Sequence, residues 1–150
     1  MGNAFLKGKE TSLKGTVKFL EKVRFEAGAE SGHTVAIDGP QEAGGENAGF
    51  RPMELMLLGL GSCMAFDVLM ILRKMRQEVT SYTLNLEGER AEDPPRVYTE
   101  VRMEHVFKGL SLKPESIQRA IELAETTYCS ASAMFAKTAR VKNTFRILES

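Results

Sequence analysis

The amino-acid sequence predicts an α+β fold of antiparallel strands and one long apolar helix. Residues 79–88 and 96–107 alternate apolar and polar side chains with period two, the mark of half-buried strands. Pro52 to about Gln77 is instead a continuous apolar stretch, long enough for a helix and too long for a strand. Shorter alternating runs precede it, and two helical patterns and a last strand close the chain. The resulting order, β-β-β-α-β-β-α-α-β, is an α+β layout.

The chain of 150 residues suits one domain, 1–150. Apolar residues at 43% and charged residues at 27% are ordinary for a folded globule and argue against a disordered chain. Twenty basic residues balance twenty acidic ones, so no net field draws the protein to nucleic acid or to anionic lipid. Two cysteines cannot build a disulfide scaffold, and with two histidines they make a poor metal set. No metal site is therefore expected. A redox pair stays open.

Residues 13–20, 22–27 and 33–38 are the early strands, with turns expected at Gly28 and Gly32. Residues 39–49 hold four glycines and a proline and form the clearest loop. Pro52 suits the first turn of the helix, and Arg73, Lys74 and Arg76 suit its C-terminus. Leu55, Leu57, Leu58, Leu60, Met64, Phe66, Val68, Leu69 and Ile71 leave the helix apolar almost all round. Such a helix needs cover on most faces, from a second sheet or from a partner subunit. Glu92-Asp93-Pro94-Pro95 reads as a hairpin connection, and Pro114 opens a second helix through Tyr128. Cys129 to Ser132 interrupts it, Met134 to Lys137 forms a further short helix, and Val141 to Ile147 is the last strand.

The stretch Met53 to Leu72 also has the length of a membrane span, but it carries Glu54 and Asp67. A carboxylate near mid-span is costly in lipid, so a core helix is the expectation and no membrane partner. Met1 to Glu10 lacks the apolar run of a secretory signal, and Leu6 stands where a myristoylation motif wants Ser or Thr. A cytoplasmic protein is expected.

Cys63 lies inside the apolar helix, with Asp67 one turn on and sharing its face. An apolar setting and a nearby carboxylate both disfavour a thiolate, so local grounds make Cys63 an inert core residue. Two features oppose that. Gly59, Gly61 and Ser62 leave little bulk ahead of the sulfur, and Cys129 stands at a helix break where backbone N–H groups favour an anion. Glu54 in the first turn complements the helix dipole, and about 900° of helix sets it opposite Cys63. A bend at Gly59 and Gly61 would let both address one group. His33 and His105 lie off metal-ligand spacing, and no nucleotide loop, serine elbow or zinc signature is present.

Arg51-Pro52-Met53-Glu54 through Gly59-Leu60-Gly61-Ser62-Cys63 resembles the helix signature of the OsmC/Ohr family: proline, acid, apolar run, small residues, cysteine. Ala124 to Ser130, with Cys129 after an apolar helix, looks like that family's second signature, 66 positions beyond Cys63. The resemblance covers residues 13–148 and implies the OsmC-like fold, antiparallel sheets wrapped around a long central helix, as an intertwined homodimer. It also implies a cysteine-based peroxidase without metal or prosthetic group. In that family the first cysteine, here Cys63, attacks an organic hydroperoxide and becomes a sulfenic acid. The second, here Cys129, condenses with it to a disulfide, which an external dithiol (a small molecule or a lipoyl or thiol protein) reduces. Glu54 matches the family acid. The family arginine that holds the thiolate has no match in context. Arg24 is the first candidate for it, reaching across subunits, and Arg51 the second. The rival reading is a non-catalytic, ligand-binding or stress-related member that keeps both cysteines without a working arginine.

Overall fold

A computed structural model describes residues 12–149, so the N-terminal expectations for Met1 to Glu10 fall outside the described residues. The chain divides into two compact units, Met1–Leu55 and Met56–Ser150, with the boundary inside the long helix.

The first unit is an antiparallel meander of β1 (Gly15–Glu21), β2 (Arg24–Ala29) and β3 (Thr34–Ile37). Val17 and Phe19 supply the alternation of β1, and Phe19 meets Phe25 of β2 edge to face, centroids 5.9 Å apart. Gly28 is not a turn. It pairs with Thr16 and Thr34 inside β2, and a Cβ there would press on the Thr34 methyl group. The turn falls one step later, where Gly32 takes a φ of +84° that suits glycine. The loop after β3 contains one 3₁₀ turn, Gln41–Ala43. It is organised by Asp38, whose buried carboxylate accepts from Gly39, Glu46 and Ala48 N–H at 2.8, 3.1 and 3.0 Å.

Helix α1 (Pro52–Lys74) ends one turn short of expectation. Gln77 N–H donates to Leu72 O and Arg76 N–H to Arg73 O, the paired bonds of a Schellman cap. Arg76, at φ 56°, fills the left-handed position where glycine is usual, so no glycine marks the exact end.

The second unit carries α1 onward from Met56, then β4 (Glu78–Arg90), β5 (Tyr98–Leu110), α2 (Pro114–Leu123), a π turn (Ala124–Tyr128), α3 (Ser130–Phe135) and β6 (Arg140–Ile147). β4 and β5 pair antiparallel over thirteen residues each, but β6 runs parallel to β5. The expectation of purely antiparallel sheets is corrected here: this sheet is mixed. A parallel return needs a crossover, and α2, the π turn and α3 supply it. α3 begins at Ser130, four residues before the expected short helix, because Cys129 caps it.

In the core, Val101, Met103, His105 and Phe107 point inward from β5, alongside Ile117, Ala120 and Ile121 of α2. α1 contributes a stripe at four-residue spacing: Leu60, Met64, Val68 and Leu72. Gly61 belongs to this contact. A Cβ there would lie 2.4 Å from Leu86 of β4, so its smallness serves packing. Burial on most faces is not what the chain achieves by itself. Met56 is 53% exposed, Phe66 64% and Leu58 44%, which leaves part of the apolar surface of α1 uncovered.

Candidate functional site

Cys63 sits mid-helix on α1, and Asp67 follows one turn later on the same face. Cys129 reaches this face from the π turn. Thr126 turns its hydroxyl back to Glu122 O at 2.7 Å, and Cys129 N–H closes on Ala124 O at 2.8 Å. The widened turn stops α2, and Cys129 becomes extended, at φ −72° and ψ 104°. Its sulfur then caps α3 by accepting from Ser132 N–H at 3.4 Å. Cys63 Sγ, Cys129 Sγ and an Asp67 carboxylate oxygen all lie within 4.8 Å of one another. Both cysteines are free thiols. The two sulfurs need only close up to bridging distance to form a disulfide.

The electrostatics of this trio are unusual. Burial, at 2% exposure, pushes the Cys129 thiol up, while Ser132 pulls it back and the Cys63 thiol pushes it up further. Burial outweighs the cap, contrary to the expectation that a helix start at Cys129 would favour its thiolate. Burial also raises Asp67 above the ordinary carboxylate range. A desolvated carboxylate ordinarily keeps a hydrogen-bond donor or a cation beside it. Among the described residues of its unit Asp67 makes no hydrogen bond or ion pair, and the two thiols lie beside it within 4.8 Å.

A buried polar ladder holds the π turn in place, and sequence reasoning missed it. Tyr82 Oη and His105 Nδ1 are 2.7 Å apart, His105 Nε2 and Asn143 Oδ1 2.8 Å, and Asn143 Nδ2 donates to Glu125 at 3.2 Å. Because Asn143 Oδ1 only accepts, Nε2 carries the ring proton and Tyr82 donates to Nδ1. Burial lowers His105, keeping it neutral in this role. Tyr82 stacks on Phe107 at 4.4 Å, completing the wall. The available signal was Asn143, a polar residue at an inward position between Val141 and Phe145 of β6.

The remaining candidates lie in the first unit. Glu54 Oε2 accepts from Arg51 N–H at 3.0 Å, the returning half of a capping box, so it secures the start of α1. Arg24 is held by three carboxylates: Glu21 at 3.1 Å, Asp38 at 3.6 Å, and Glu46.

Two cysteines far apart in sequence, brought together by a helix break over a mixed sheet, define a two-thiol α+β protein. Comparison with known proteins makes this specific. Residues 44–143 match the family described as OsmC-like protein. Protein YhfA of Escherichia coli K12 is 32% identical over 139 residues, spanning 91% of this chain and 98% of that protein. A hypothetical protein from Aquifex aeolicus VF5 superposes with a TM-score of 0.81 at 28% identity, covering 93% of this chain and 98% of the other. An organic hydroperoxide resistance protein OsmC from Legionella pneumophila shares the fold, with a TM-score of 0.70 at 14% identity, covering 92% and 98% of the two chains. The chain belongs to the OsmC-like family, within the wider OsmC/Ohr group.

Proposed function

We propose that the protein is a thiol-dependent peroxidase that reduces organic hydroperoxides through Cys63 and Cys129. The observation that carries this reading is the approach of the two sulfurs, within 4.8 Å, across 66 residues of chain. Structural neighbours named for organic hydroperoxide resistance support it. The Cys63 thiolate attacks the terminal peroxide oxygen, the O–O bond breaks, and the alcohol leaves with a proton. Cys63 is then a sulfenic acid. The Cys129 sulfur displaces hydroxide from it, forming the disulfide and water, and an external dithiol restores both thiols.

An unperturbed thiol, with a pKa of about 8.5, is mostly protonated at neutral pH, so the reaction calls for a cation beside Cys63. Arg24 is the first candidate and Arg51 the second, with Glu54 as the acid that positions the arginine. A second copy of the chain would cover Met56, Leu58 and Phe66, and a homodimer is part of this proposal, as is a cytoplasmic location. The melting temperature should then fall on dilution; a folded monomer at micromolar concentration would remove the dimer.

One observation favours a second reading, a binding member of the family without turnover. Arg24 is already neutralised by Glu21, Asp38 and Glu46 of its own unit. A peroxide-consumption assay with a dithiol reductant separates the two. The peroxidase reading expects turnover that Cys63→Ser abolishes and Arg24→Ala slows about tenfold or more, with Arg51→Ala as the comparison. Absence of turnover with any dithiol, together with sluggish alkylation of Cys63 at neutral pH, would leave the binding reading.

A further inference from the structure

Disulfide formation poses a proton problem that the two cysteines do not solve between them. Cys129 must attack as a thiolate, yet it is buried, and its N–H cap from Ser132 does not offset that burial. Asp67 poses the opposite question. Its carboxylate is partly desolvated, and among the described residues of its unit it makes no hydrogen bond or ion pair, an arrangement that costs stability. It does not help Cys63 ionise either, since like charges repel. Among the described His, Cys, Asp and Glu residues, those grouped with it are Cys63, from its own helix, and Cys129, from the break between α2 and α3.

We propose that Asp67 is the proton relay of the resolving step, taking the proton from Cys129 as its sulfur attacks Cys63 and handing it to the departing hydroxide. The inference rests on the peroxidase reading above. The Cys129 S–H and Cys63 S–O bonds break, the S–S bond forms, and hydroxide leaves with the relayed proton as water. Asp67 ends the step as the carboxylate it was at the start, so no further oxidant or reductant is needed. A carboxylate less than 5 Å from both sulfurs reaches each with a small side-chain rotation or through one water. Desolvation makes Asp67 a stronger base than an exposed carboxylate, which suits it to work nearer neutral pH.

The test separates the two chemical steps in the whole protein, wild type and Asp67→Asn, with an equimolar organic hydroperoxide. A sulfenic-acid trap follows the first step, and mass spectrometry of the intramolecular disulfide follows the second. Asp67→Asn should leave the first step unchanged or faster and slow the second about a hundredfold at neutral pH. The wild-type resolving rate should fall on acidification as Asp67 protonates, whereas the variant's rate should lack that limb and rise only at alkaline pH. Asp67→Glu should recover most of the rate. A resolving rate in Asp67→Asn equal to wild type, or an equal loss of both steps, overturns the relay. If peroxide never oxidises Cys63, the peroxidase reading fails by itself. The relay is then read from a thionitrobenzoate mixed disulfide on Cys63, which Cys129 should clear more slowly in Asp67→Asn. Equal clearance overturns it.

Discussion

Two aspartates show how one side chain is put to opposite uses. Asp38 in the first unit and Asp67 in the second are both drawn out of water. Asp38 accepts three backbone N–H groups and faces Arg24, and these contacts, led by the bond from Ala48, hold its carboxyl below the usual range. Asp67 lies beside two thiols, and desolvation lifts it above its ordinary value. A satisfied carboxylate is a structural clamp: it fixes the glycine-rich loop just ahead of α1. One without such contacts, beside two thiols, has its proton affinity raised by desolvation. The difference lies in the partners and not in the residue.

The most damaging way to test the second region is to remove its support and leave the trio itself alone. His105→Ala strips partners from Tyr82 and Asn143 and opens a cavity beside Phe107. A loss of about 3 kcal/mol is expected by denaturant titration. Disulfide formation should slow as well, because Glu125 and the π turn carrying Cys129 lose their anchor. An effect below about 1 kcal/mol would show that the ladder does not hold the turn.

Smaller effects of opposite sign distinguish the aspartates. The low folded pKa of Asp38 gives stability that is present above the unfolded carboxylate value, about 3.9, and is lost as pH falls through the folded value. Asp38→Asn should therefore lower the melting temperature at neutral pH, with the deficit shrinking on acidification. It should also expose the Glu46 and Ala48 amides to hydrogen exchange. Asp67 reverses the sign: its raised folded pKa makes the carboxylate a liability that sets in as pH rises above about 3.9. Asp67→Asn should raise the melting temperature at neutral pH, an advantage that disappears below that value. Shifts of the same sign in the two variants would break the comparison.

The same contrast explains how much was legible in the sequence. Strands β4 and β5 declared themselves because alternation is local, and the signatures around Cys63 and Cys129 were enough to imply their meeting. Gly28 was misplaced because a glycine inside a strand and one in a turn look alike until Thr34 is set opposite it. The end of α1 was overrun because Arg76 occupies the left-handed cap position. The apolar surface of α1 was read correctly as composition, but its own chain buries only one stripe. Asp38, the Tyr82-His105-Asn143 ladder and the isolation of Asp67 depend on partners distant in sequence. No spacing rule reaches them.

The central claim, that Cys63 and Cys129 form a working redox pair, is most directly tested by treating the reduced protein with an equimolar organic hydroperoxide. Intact-mass analysis after alkylation should show an intramolecular Cys63–Cys129 disulfide in place of two alkylated thiols. In Cys129→Ser, the same treatment should leave Cys63 as a trappable sulfenic acid. Two fully alkylated thiols after peroxide treatment, or a disulfide that forms only between chains, would contradict it.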